Sequence, residues 1–213
     1  MNDPLKEIAD KLDSCEPRKI SEVPESAKKA LSQGLSPEQI MEEGLLEGLR
    51  RVGMKFKTGE VFIPEVLVAA RAVHGSMDIL KPSMKKGELK QRGRVLLGTV
   101  KGDLHDIGKN LVGIMLEASG YEIIDMGVNV PAERFIESVK ENRADVLGLS
   151  ALLTTTMNEM KTVLDLLKSE GVQTKVIVGG APITQEFADR IGADAYGVNA
   201  GEAVEKVAAL LKR

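Results

Sequence analysis

From residue 94 onward the chain alternates two kinds of segment, and this alternation restricts the fold more than any other feature. Short runs rich in Val, Ile and Leu stand at "RVLLGTV" (94–100), "YEIIDMG" (121–127), "DVLGLSA" (145–151), "KVIVGG" (175–180) and "AYGV" (195–198). Segments with helical spacing follow them at 108–119, 132–142, 155–170, 184–191 and 201–212. The β-rich runs are apolar at consecutive positions, as strands buried on both faces must be. A repeat of strand and helix closes as a parallel sheet with helices on both sides.

Residues 1–85 show helical spacing and no strand signal. "SPEQIMEEGLLEGLRRVGMKF" opens with Ser36 as N-cap, Pro37 in the first helical position and Gln39 completing a capping box. Ile40, Leu45, Leu49, Val52 and Phe56 supply its apolar face, and "TGE" (58–60) interrupts it. Pro64 starts another helix, striped by Val66, Ala69, Ala70, Val73 and Met77, with Phe62 expected in the bundle core. Earlier helices fit 3–13 and 22–33, the latter stopped by Gly34. The polar, basic "KPSMKKGELKQRG" (81–93) reads as a connection. The expected organisation is a helical-bundle domain of four helices over 1–85, a linker over 86–93 and an α/β domain over 94–213.

Hydrophobic residues make up 43% of the 213, enough for a real core, and the mixed charges leave a formal net charge of −3. With aromatics at 3% and no Trp, the chain offers neither a basic surface nor stacking platforms, so nucleic acid is not expected as a partner. The single Cys15 excludes an internal disulfide and fits a reducing cytoplasm. No run approaches a membrane span, and the N-terminus has no signal-peptide pattern, so no membrane partner is expected. The nine methionines read as core filler.

Five strand–helix units suit a doubly wound, flavodoxin-like sheet of order 2-1-3-4-5, in which a crevice opens at the C-terminal ends of strands one and three. Three loops reach that edge. "KGDLHDIG" carries one of only two histidines, His105, with Gly102, Asp103 and Asp106 around it. "SALLTTTM" brings Ser150, Thr154, Thr155 and Thr156, and "GGAP" brings Gly179 and Gly180. Such neighbours do not suit a core histidine. A zinc site needs more ligands than one imidazole. The P-loop spacing is absent, as is a nucleophile elbow, and too few aromatics stand near the loops to stack on a flavin. A solvated loop histidine remains possible. So does a macrocyclic metal that requires one axial imidazole. The other histidine, His74, lies beside a helical stripe and receives no ligand role.

Asp103-x-His105-x-x-Gly108, then Ser150-x-Leu152, then Gly179-Gly180, resembles the cobalamin-binding signature of corrinoid methyltransferases and base-off mutases. The similarity extends through "TVKGDLHDIGKNLVG", "MGVNVPAERF", "SALLTTTM" and "GGAPITQEFADRIGADAYG". "GMKFKTGEVFIPEVLVAARAV" is similar to the helical cap of cobalamin-dependent methionine synthase and of small corrinoid carriers. The resemblance implies cobalamin or another corrinoid, bound base-off, with His105 as the lower axial ligand of cobalt. It implies a His–Asp–Thr relay through Asp103 and Thr156, and hydrogen bonds from Ser150 and Thr154 to the displaced base. Gly102, Leu104, Asp106, Gly108, Leu152, Gly179 and Gly180 would surround the cofactor and its nucleotide tail, Ala200 and Gly201 the far end of that tail. Phe56 and Ile63 would shield the methyl-bearing face.

Simpler readings stand beside these: Asp103, Asp106 and Thr154 as helix caps, the glycines as turn residues, Phe56 and Ile63 as core. Gly180→Leu is expected to fold but to bind cobalamin poorly. The implied function is a methyl carrier, not a complete enzyme alone. Its implied partners are a substrate-specific methyltransferase, an acceptor methyltransferase serving a thiol or pterin, and a reductive activation protein. A subunit of an adenosylcobalamin mutase and a cobalamin-dependent sensor are the alternatives; "FKTGEVFIPE", a cap segment, and the acidic charge balance favour the carrier.

Overall fold

In the computed structural model, which describes residues 3–83 and 92–212, the helices of the first unit start where proline and capping residues allow. The chain divides into two units, residues 1–90 and 91–213. The expected linker, 86–93, lies outside the described residues apart from Arg92 and Gly93. In the first unit α1 spans Pro4–Asp13 and α2 Pro17–Ser21, followed directly by α3, Val23–Ser32. The short α4, Pro37–Gln39, carries the expected capping box: the Gln39 N–H donates to the Ser36 hydroxyl and the Ser36 N–H to the Gln39 side chain, both at 3.2 Å. It runs through a π-helical segment, Ile40–Leu46, into α5, Glu47–Thr58, which Gly59 ends in the left-handed region. The last helix, α6, spans Ile63–Leu80.

Among the described residues the helices of this unit include the four expected and the short α2 in addition, packed around Ile8, Leu12, Ile20, Val23, Ile40, Leu45, Val52, Val66 and Val73. The π-helical turn has no periodicity signal in the sequence. Phe62 is not in this core. It occupies the N-cap position of α6 and is 68% exposed, because the extended backbone there turns its neighbour Val61 inward instead.

The second unit is one parallel sheet: β1 (Arg94–Thr99), β2 (Glu122–Asp125), β3 (Val146–Ser150), β4 (Lys175–Gly179) and β5 (Ala195–Gly197), in the order β2-β1-β3-β4-β5. Helices α7 (Ile107–Ala118), α8 (Ala132–Asn142), α9 (Asn158–Ser169), α10 (Gln185–Ile191) and α11 (Ala200–Leu210) complete it. Because side chains alternate along a strand, each strand feeds two cores. Leu96, Leu147, Leu149, Val176 and Val178 pack with Phe135, Ile136, Val139, Met160, Val163 and Phe187 of α8, α9 and α10. Val95, Leu97, Val146 and Ile177 face the other way and pack with Leu116 of α7 and with Ala203 and Val207 of α11.

Candidate functional site

Strand β1 delivers its chain to the crevice through a loop fixed at several points. After Thr99, Val100 forms an isolated parallel bridge with Val130. Gly102 then turns with φ +80°, and its N–H donates to the Asn129 side-chain oxygen at 2.7 Å. Asn129, itself left-handed at φ 55°, donates its own N–H to the Asp103 carbonyl at 2.9 Å. The Thr99 hydroxyl donates to the His105 carbonyl at 2.9 Å. The loop is thus tied from both ends before any side-chain chemistry is considered.

Asp103 is fully buried at the centre of this arrangement. One carboxylate oxygen accepts the His105 N–H at 3.1 Å and lies 2.7 Å from His105 Nδ1. The other accepts the N–H groups of Leu152 and Leu153, at 2.8 and 3.3 Å, and the Thr156 hydroxyl at 2.7 Å. Burial alone would raise this carboxyl. The Thr156 hydroxyl, the N–H groups of Leu152 and His105 and the His105 ring outweigh it and hold the group below the usual carboxylate range. An ionised Asp103 accepts hydrogen bonds only, so Nδ1 carries a proton, and in the neutral ring Nε2 holds the lone pair. The His105 side chain is half exposed, which leaves Nε2 available as a ligand atom.

Beside the imidazole opens a cavity of about 520 Å³. Its mouth is formed by the loops after β1, β3, β4 and β5. Its inner wall runs between the sheet and helices α7 and α11, through Leu97, Val112, Leu116, Gly148, Ile177, Ala203 and Val207. Ligand cavities of this size in an open parallel sheet belong at this end of the strands. The donor set fits a corrinoid: one imidazole with a free lone pair, next to a deep apolar recess. Among the described residues no group of three or more His, Cys, Asp or Glu is placed to hold a metal ion, so a metal here would have to bring most of its ligands with it.

Leu104, His105, Asp106, Gly108, Ser150, Leu152, Gly179, Gly180 and Ala200 all line this cavity. Gly102, Asp103 and Thr156 act one layer behind it through the hydrogen bonds above, and Gly201 is buried at the start of α11. Phe56, half-buried, and Ile63, 37% exposed, belong to the helical unit.

Three simpler expectations need correction. Asp103 does not cap α7, because its oxygens are spent on the loop after β3 and on His105. Asp106 takes the N-cap position instead, and its side chain accepts from the Asn110 amide at 3.0 Å. Thr154 does not cap the following helix, which begins at Asn158; it stands exposed in the preceding turn, while Thr156 reaches in to Asp103. At Gly180 (φ +128°) a Cβ would lie 1.8 Å from the Ala151 carbonyl oxygen. Gly180→Leu would therefore strain the fold itself, and its effect on binding would not report on a ligand.

The sequence reading passed over Lys109, Asn129 and the inner wall. Lys109 is buried, 2.5 Å from Asp125 at the end of β2, and also donates to Asn110 at 2.7 Å. A lysine in the first turn of a helix opposes the helix dipole, and that was the available signal. Val112, Ala203 and Val207 gave none, since a cavity wall and a packed core use the same residue types.

A family model described as a B12 binding domain matches residues 93–208, and a second of the same description matches residues 19–81. The chain is 45% identical over 209 residues to dimethylamine corrinoid protein 3 of Methanosarcina acetivorans, covering 97% of this chain and 96% of that one. It is 46% identical over 210 residues to the dimethylamine corrinoid protein of Methanosarcina barkeri, covering 97% of each chain. A crystal structure of a cobalamin-binding protein from Desulfitobacterium hafniense DCB-2 aligns with a TM-score of 0.86 at 33% identity, over 99% of both chains. A chain of the methanol:cobalamin methyltransferase complex MtaBC from Methanosarcina barkeri aligns with a TM-score of 0.78 at 30% identity, over 98% of this chain and 79% of that one. Identity at this level along nearly the full length of both partners means that the protein belongs to the corrinoid proteins, the family built on the B12-binding domain.

Proposed function

We propose that the protein carries a methyl group on a corrinoid between two methyltransferases, in the cytoplasm. The first would be specific for the methyl donor, and the second would deliver the methyl group to a thiol or pterin. A methylamine donor suits the relatives named for dimethylamine. A reductive activation protein would be the third partner. The cobalt of the bound corrinoid supplies the methyl-carrying chemistry. The observation that carries this reading is the His105–Asp103–Thr156 chain of hydrogen bonds at the mouth of the cavity, with Nε2 free.

In this reading His105 would coordinate the cobalt of a corrinoid held base-off. Asp103 fixes the tautomer and raises the basicity of the imidazole, and stabilises the ring if Nε2 takes up a proton instead. Thr156 and the N–H groups of Leu152 and Leu153 hold Asp103 ionised for that task. Ser150 and Thr154 would meet the displaced base or its sugar, and Gly108, Gly179 and Ala200 leave room for the tail. Phe56 and Ile63 of the helical unit would shield the methyl-bearing face from solvent. No helix among the described residues is long and apolar enough to cross a membrane. The domain division proposed is a cap over 1–85 and a cobalamin-binding domain over 94–213.

Reconstitution with hydroxocobalamin tests the central step. Reduced to the paramagnetic cobalt state, the wild-type complex should show nitrogen coupling that responds to ¹⁵N-histidine labelling. His105→Ala should keep corrinoid but lose that coupling. Unchanged coupling in the variant would remove His105 from the ligand role.

A further inference from the structure

The recess beside His105 has two chemically different zones. Its mouth carries the polar groups: His105, Asp106, Lys109, Ser150 and Asn199. Lys109 is engaged by Asp125 and Asn110, and the Asn199 side-chain oxygen accepts the Glu202 N–H at 3.0 Å, capping α11. The inner zone is set by register. Leu97, Gly148 and Ile177 are Cα partners across β1, β3 and β4, and all three point to the face covered by α7 and α11. Val112 and Leu116 of α7 and Ala203 and Val207 of α11 close it from above. None of these seven side chains carries a hydrogen-bonding atom. The strand backbone beneath them is occupied by the sheet ladder. Gly148 makes the floor: a Cβ there would lie 2.5 Å from Leu97 Cδ2.

Corrinoids differ in the base at the end of their nucleotide tail, and the base-off reading above puts that base in this recess. Resting on that reading, we infer that the inner wall selects the lower base, taking a benzimidazole and discriminating against a purine. The nitrogen that links each base to the sugar and the imino nitrogen of the five-membered ring are common to both and cancel. Adenine adds two ring nitrogens and an amino group. Buried against Leu97, Val112, Leu116, Ile177 and Val207, they would lose water and gain no partner. A buried polar group left unpaired costs about 1–3 kcal/mol. The methylated benzenoid edge of dimethylbenzimidazole gains from the same wall, since burial of apolar area is favourable.

Equilibrium binding of three probes to the full chain tests this: cobalamin, the adenine-containing cobamide, and cobinamide, which has no base. Absorption spectra report base displacement in each complex. Cobalamin should bind on the order of tenfold or more tighter than the adenine cobamide, the size expected from one unpaired group. Val112→Phe, which fills the recess from α7, should reduce cobalamin affinity towards that of cobinamide. Cobinamide binding itself should be unchanged, which also shows that the variant is folded. Equal, base-displaced binding of the two cobamides would overturn the selectivity and leave the corrinoid site standing. So would tight, base-displaced cobalamin binding by Val112→Phe, because the base would then lie elsewhere. Failure of all three probes to bind would overturn the corrinoid reading itself, and the inference with it.

Discussion

The two faces of the parallel sheet are built from the same strands and come out differently. Towards α8, α9 and α10 the surface is filled. Phe135 packs so closely over β1 that a Cβ at Gly98 would lie 2.4 Å from its ring, and Met160 and Phe187 continue the layer. Towards α7 and α11 the covering residues are smaller, Ala203 and Val207 among them, and the about 520 Å³ recess remains. A protein interior normally closes to near-crystalline density. The face towards α8, α9 and α10 is filled by Phe135, Met160 and Phe187. The other stops short, at the end of the strands where His105 stands. The lesson is that the recess is not a defect of packing distributed through the domain. Its inner wall lies between the sheet and helices α7 and α11.

If this asymmetry is energetic as well as geometric, the largest mutational loss belongs to the filled face. Phe135→Ala should cost about 3–5 kcal/mol. Leu97→Ala, cut from the wall of an existing cavity, should cost about 2–3 kcal/mol, the low end for a buried leucine. Urea unfolding followed by circular dichroism measures both. Equal losses would mean that the open face is as cohesive as the closed one.

The next effect lies where the faces meet the loops. Asp103→Ala removes the acceptor of the His105, Leu152 and Leu153 N–H groups and leaves the Thr156 hydroxyl only the Leu153 carbonyl, and should destabilise by about 2–3 kcal/mol. It should also change the acid response. The Asp103 carboxyl is held below its ordinary 3.8 in the folded state. Its contribution is therefore complete above that value and is lost as the pH falls through the folded value. Glu47 in the helical unit is held down to about 2 by Arg50 and Arg51 and gives an acid loss of the same sign. The difference between parent and Asp103→Ala isolates the loop, so the variant should lose less stability on acidification. Parallel acid profiles would show that the ionised Asp103 does not brace the open edge.

The smallest effect is expected at Asn129. Asn129→Ala removes the acceptor of the Gly102 N–H and puts alanine at φ 55°, and should cost about 1 kcal/mol. Asn129→Gly loses the same hydrogen bond but keeps the conformation, and should cost less. Amide exchange at Gly102 should quicken in both. An unchanged rate would mean that the His105 loop is held from β3 alone.

The chain's periodicity was enough for the architecture. Consecutive apolar runs alternating with helical spacing point to a parallel sheet covered on both faces, and five such units suit the flavodoxin-type order, so the order β2-β1-β3-β4-β5 and the crevice beside His105 were legible. Ser36, Pro37 and Gln39 marked a helix start for the same reason: capping is a local interaction, written in adjacent residues. Phe62 was misread because its direction depends on one extended residue at a helix entrance, not on a period. Thr154 and Thr156 are equivalent as sequence. Only the approach of two loops, bringing Thr156 within 2.7 Å of Asp103, distinguishes them. The same holds for Asn129 and Lys109, whose partners lie on other elements. The inner wall was hidden for a deeper reason. Val112, Ala203 and Val207 are what a filled core would also use, and whether such side chains meet across a layer or leave a space depends on the distance between a sheet and two helices, which no single segment encodes.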